Sequence, residues 1–125
     1  MLGKQYIYTM NNAHELGKEG KALAKNYLSQ KNFTILQTNW RWEKAEIDII
    51  AKHKNQLVFV EVKTRLNSSF GNPSEYVSIK KQELMKSAAE AYIEMNNLSH
   101  EIRFDIVGII LNSKDEKIEH IQNAF

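Results

Sequence analysis

The stretch from Glu46 to Arg65 restricts the fold more than any other part of the chain. Two segments, Glu46–Lys52 and Leu57–Arg65, are rich in β-branched residues and flank the turn pair Lys54-Asn55. Runs of this kind joined by two residues fold as an antiparallel hairpin. Strand side chains alternate between faces, so residues two apart share one. Glu46 and Asp48 therefore point the same way, as do Glu61 and Lys63, while Ile47, Ile49, Val58, Val60 and Val62 form a core face. With His53 paired to Gln56, counting outward sets Asp48 across from Glu61 and Glu46 across from Lys63. Directly opposed side chains have Cβ atoms about 4.5–5.5 Å apart.

Two carboxylates at that spacing repel each other unless a positive charge compensates them. A divalent cation would do so. Magnesium typically takes one or two protein carboxylates and fills its other positions with water and substrate phosphate, a demand that Asp48 and Glu61 fit. Lys63 adds a fixed positive charge that could orient an attacking water or stabilise charge developing on phosphorus. The metal-free alternative is a cross-strand ion-pair network in which Lys63 neutralises Glu46 and Glu61. The segment before Glu61, Leu57–Val60, is apolar on both faces. Charges on such a strand are costly to bury, which favours a functional role for them.

The rest of the chain supplies the layers around this hairpin. From about Asn12 to Gln30, Leu16, Leu23, Ala24, Tyr27 and Leu28 recur at helical spacing, with Asn12 as the expected cap. Lys18, Lys21 and Lys25 line one flank of that helix, either as a solvated face or as a phosphate-facing stripe. Phe33–Trp42 reads as a strand. A polar loop is expected over Asn67–Ser74. Ile79, Leu84, Met85, Ala88, Ala89, Tyr92 and Ile93 then mark a second amphipathic helix ending near Asn96-Asn97. Strands follow at Ile102–Leu111 and Lys117–Ile121. Helix, three strands, helix, two strands implies an α/β fold with a mixed sheet between helices.

Composition sets the outer limits. The 125 residues fit one domain, 1–125, since a single core takes roughly 100–200 residues. There is no cysteine, hence no disulfide, thiol nucleophile or thiolate zinc site. A reducing cytoplasm is the expected compartment. Met1–Asn12 has no apolar signal-peptide region, and no apolar run approaches the ~18 residues of a membrane span. A formal net charge of +2 does not by itself argue for nucleic acid. His14, His53, His100 and His120 lack metal-ligand spacing. Asp105, in an apolar strand, is expected to be a buried, hydrogen-bonded structural carboxylate. Trp40 and Trp42, sharing one strand face, are expected in the core.

Asp48, twelve intervening residues, and then Glu61-Val62-Lys63 resembles the signature of the PD-(D/E)xK restriction-endonuclease-like superfamily. The string FVEVKTR at Phe59–Arg65 is similar to that of archaeal Holliday-junction resolvases. Five further segments narrow the resemblance to the bacterial YraN-type family. These are GKEGKALAKNYL at Gly17–Leu28, NWRW at Asn39–Trp42, EIDII at Glu46–Ile50, RFDIV at Arg103–Val107 and HIQNAF at His120–Phe125. The resemblance covers nearly the whole chain in the right order.

It implies a restriction-endonuclease-like αβββαβ core and a Mg²⁺- or Mn²⁺-dependent endonuclease acting on DNA, on branched or damaged substrates. Asp48 and Glu61 would be metal ligands, the Val62 carbonyl a third, and Lys63 the catalytic lysine. This chain departs from the family at Gly20-Lys21, where a Gly-Glu pair is usual, and at Ala45, where glycine is usual. Lys21 cannot be a ligand; Glu19 and Glu46 are the candidates to stand in, Glu46 the better placed. Resolvases cut two strands symmetrically as dimers, so the resemblance also raises a homodimer. Arg41 and Arg65, near strand ends beside the site, suit bidentate phosphate contact. Lys80 and Lys81, opening the second helix, suit a nucleic-acid backbone, as does Lys21. The alternatives are a nucleic-acid-binding module that keeps the fold with weak or absent catalysis, and an interaction protein with a vestigial site.

Overall fold

The computed structural model of the protein describes residues 13–67, 77–98 and 100–125. The expected Asn12 cap and the Asn67–Ser74 loop beyond Asn67 lie outside these residues. The elements are α1 (Ala13–Gln30), β1 (Thr34–Trp42), β2 (Ala45–His53), β3 (Gln56–Arg65), α2 (Ile79–Met95), β4 (Glu101–Leu111) and β5 (Glu116–Ile121). Helix α1 buries Gly20, Ala24 and Leu28, four residues apart on one face. Helix α2 starts where the Ser78 hydroxyl accepts the Lys81 N–H at 3.1 Å, a cap that contributes about 1 kcal/mol.

The five strands follow chain order across one sheet. All neighbours are antiparallel except β3 and β4, which run parallel with α2 as the crossover between them. Each sheet face has its own core. Under α1 lie Ala24, Leu28, Phe33, Ile49, Ala51, Val58, Val60, Val107, Ile109 and Leu111. Under α2 lie Ile47, Ile50, Leu57, Phe59, Met85, Ala88, Ala89, Tyr92 and Phe104. Trp40 packs edge-on against Tyr92 at 5.2 Å between ring centroids, and Trp42 borders the same cluster. Both tryptophans are partly buried against this core, in keeping with the packing role expected of them.

One expectation of the alternation fails, and it fails at the site. Ile49 and Ala51 pack under α1, but Ile47 and Ala45 pack under α2. The single core face expected for Ile47 and Ile49 is therefore interrupted at Asp48. On β1 the facing position is Asn39, between the pairs Thr38↔Ile49 and Trp40↔Ile47, and its φ is 51°. Asparagine tolerates that left-handed conformation better than most residues. The break re-aims the side chains on either side of it.

Candidate functional site

The hairpin closes with His53 opposite Gln56, and its pairing continues to Ile49 opposite Val60. Extended by one step, that register puts Asp48 beside Glu61. Here the ladder opens. In a continued ladder the Val62 N–H would face the Ile47 carbonyl; it donates instead to Asp48 Oδ2 at 2.8 Å. The carboxylate is thus clamped by the backbone of the strand that carries Glu61 and Lys63.

Asp48 and Glu61 are both buried, at 8% and 6% exposure. Burial first, and the Asp48 charge second, push the Glu61 carboxyl up to about 7 against the pull of Lys81. Lys81, from the first turn of α2, places Nζ 3.0 Å from Glu61 Oε2. The other oxygen, Glu61 Oε1, is buried and accepts from no donor. Lys63 is half-buried. Burial, then the Arg65 cation, lower its pKa against the attraction of Glu61. For Lys81 burial also acts downward, but the field of Glu61 outweighs it and the net shift is upward.

Lys21 does not lie along a phosphate-facing stripe. Its Nζ turns into the acids, 3.4 Å from Asp48 Oδ1, 3.5 Å from Glu46 Oε1 and 2.9 Å from Asn39 Oδ1. Gly20 makes this possible: a Cβ there would run into the Thr64 side chain, so α1 sits directly on β3. Glu46, expected opposite Lys63, is held by Lys21 and by Arg41, whose Nη2 lies 3.3 Å from Glu46 Oε2. Arg41 remains largely exposed (78%). Arg65 is exposed and donates to the Thr64 carbonyl, and Lys80 is exposed on the first turn of α2. The cationic rim around Asp48 and Glu61 therefore comes from β1, β3 and both helices.

These residues fit one divalent cation better than a multidentate protein cage. Among the described residues no three His, Cys, Asp or Glu side chains converge in metal-binding geometry. Two buried carboxylates that repel each other, one with an orphaned oxygen, match in number and kind the protein ligands that a magnesium-type ion would take, with water and phosphate filling its other positions.

A third buried carboxylate forms a different kind of cluster. Asp105 is fully buried, as expected of a structural carboxylate. It accepts from Arg103 Nε and Nη2, both at 2.8 Å, from His120 Nε2 at 2.7 Å and from the Asn123 N–H at 3.0 Å. Arg103 also donates to Gln56 Oε1 and His53 Nδ1, and His53 stacks on Phe33. The partners of Asp105 escaped sequence reasoning. Arg103 and Asp105 share a strand face, which hints at the pair, but nothing in the spacing of His53, Gln56 and His120 announces their convergence.

The mixed five-stranded sheet between two helices, with the Asp48…Glu61-Val62-Lys63 hairpin at its centre, defines a restriction-endonuclease-like protein of the PD-(D/E)xK group. A family profile described as "Uncharacterised protein family UPF0102" matches residues 20–109, and the chain belongs to that family. It is 49% identical over 112 residues to a UPF0102 protein of Christiangramia forsetii, covering 90% of this chain and 94% of the relative. A Thermodesulfovibrio yellowstonii relative is 48% identical over 111 residues, covering 89% and 96%. One from Clostridioides difficile is 47% identical over 117 residues, covering 93% and 100%. No helix among the described residues is long and apolar enough to cross a membrane.

Proposed function

We propose that this protein is a divalent-metal-dependent endonuclease that hydrolyses DNA phosphodiester bonds, with branched or damaged DNA as the substrate class. The observation that carries the reading is the buried Asp48–Glu61 pair, with the donor-less Glu61 Oε1 and Lys63 on the same strand. Asp48 and Glu61, with the Val62 carbonyl, would hold Mg²⁺ or Mn²⁺, which when bound supplies Lewis-acid charge at the phosphate. Lys63, kept below the ordinary lysine pKa by burial and by Arg65, is placed to orient water or meet charge on the transferring phosphate. Arg65, Lys80 and Arg41 on the rim supply phosphate contacts. Symmetric cleavage of two strands would need a homodimer.

The test is cleavage of plasmid and four-way-junction DNA with Mn²⁺. Wild type should cut, and Asp48→Ala and Lys63→Ala should each lose about 100-fold or more. An Asp48→Ala protein that cuts at the wild-type rate contradicts the reading. The contact of Lys21 with Asp48 supports a second reading, a nucleic-acid-binding module with weak or absent catalysis. It predicts salt-sensitive DNA binding with no cleavage by wild type in either metal.

A further inference from the structure

Asp48 presents its two oxygens to different partners. Oδ2 accepts the Val62 N–H, and Oδ1 lies 3.4 Å from Lys21 Nζ. The same ammonium reaches Glu46 Oε1 and Asn39 Oδ1. It is held there from two sides. The close seat of Gly20 on Thr64 fixes how far α1 stands from the sheet. Asn39, at its positive φ, supplies an acceptor from β1 at 2.9 Å. Glu46 is shared by Lys21 and Arg41, so no uncompensated negative charge remains on that side of the cluster. The unused acceptor lies on the other side, at Glu61 Oε1, on a residue 6% exposed.

Resting on the metal reading above, we propose that the Lys21 ammonium is a built-in monovalent cation filling the Glu46–Asp48 side of the cluster. The protein then takes up a single divalent ion, at Asp48 and Glu61, and binds it weakly. A fixed positive charge next to a ligand carboxylate repels an incoming cation and competes for its oxygen. Removing that charge tightens divalent binding. Reversing it adds an oxygen ligand between Glu46 and Asp48 and opens a second divalent position.

The experiment is calorimetric titration of the full chain with Mn²⁺ alone at pH 8, with electron paramagnetic resonance of the loaded samples. Wild type and Lys21→Arg, which keeps the charge, should bind one equivalent with similar affinity. Lys21→Gln should bind one equivalent about ten-fold more tightly. Lys21→Glu should bind two equivalents and show the exchange-coupled spectrum of neighbouring Mn²⁺ ions. The proposal is overturned if wild type binds two equivalents, or if Lys21→Gln binds as weakly as wild type while Asp48→Asn abolishes binding. Mn²⁺ binding that survives Asp48→Asn, or that no variant shows, defeats the metal reading itself and the proposal with it. Circular dichroism establishes that each variant is folded, and Lys21→Arg separates loss of charge from loss of packing.

Discussion

Asp105 and Glu61 are both buried on the two central parallel strands, yet the chain surrounds them differently. Asp105 meets four donor atoms, three from side chains and one from the backbone. Burial alone would raise its pKa; the hydrogen bonds from His120, Arg103 and the Asn123 amide outweigh that and hold it below the ordinary 3.8. Glu61 has Lys81 on one oxygen, nothing on the other and a second carboxylate beside it, and its pKa rises to about 7. The first arrangement satisfies a buried charge and ties β4 to the hairpin tip and the C-terminal segment. The second leaves a buried charge in conflict, and such conflicts concentrate at functional sites.

Three perturbations would break or sharpen this contrast. The largest effect is expected from Asp105→Ala, which leaves the Arg103 guanidinium buried without its carboxylate. Breaking one partner of a buried pair costs about 3–5 kcal/mol, to be read as a lower urea midpoint with an unchanged slope. Glu61→Gln should act in the opposite direction. A carboxyl whose folded pKa lies above its unfolded value stabilises below the unfolded value, and that contribution is lost as pH rises through the folded one. For Glu61 the window runs from 4.5 to about 7, and the loss above it amounts to about 3 kcal/mol in order of magnitude. Glu61→Gln should therefore be more stable than wild type at pH 8, with the difference shrinking toward pH 5. Asp105 has the reverse sign: its contribution is full above 3.8 and is lost as pH falls through its lower folded value.

The smallest effect is expected from Gly20→Ala. Alanine gains up to about 1 kcal/mol in helix propensity, but its Cβ overlaps Thr64, and overpacking of that kind costs about 1–3 kcal/mol. Net destabilisation of about 1 kcal/mol is expected in thermal melts. The side-chain resonances of Lys21 and Asn39 should shift, while those of His120 at the Asp105 cluster stay in place.

Much of the fold was legible because it rests on local pattern. The helix faces repeat at three and four, and the hairpin pair His53–Gln56 fixes the register that brings Asp48 to Glu61. The succession of helices and strands along the chain and the Asp105 burial followed from the same apolar runs. What could not be read arises where side chains override the pattern. The alternation of β2 breaks at Asp48, opposite a left-handed Asn39, and no periodicity forecasts a break. Lys21 looked like one member of a surface stripe, and only the close seat of Gly20 on Thr64 shows why it reaches inward. Glu46 lost its expected place opposite Lys63 for the same reason: α1, seated on β3 at Thr64, brings the Lys21 cation to it. The partners of Asp105 come from positions 2, 15 and 18 residues away along the chain, a convergence that only the packed sheet creates.

The central claim is that Asp48 and Glu61 form a cation site whose conflict a divalent metal resolves. Its most direct test is anomalous scattering from a crystal grown at pH 8 and soaked in Mn²⁺. The account predicts a single anomalous peak between Asp48 and Glu61, within ligand distance of Glu61 Oε1. Lys21 should remain on Glu46. A crystal with no peak there at saturating Mn²⁺, and with Lys81 still bound to Glu61, would contradict it.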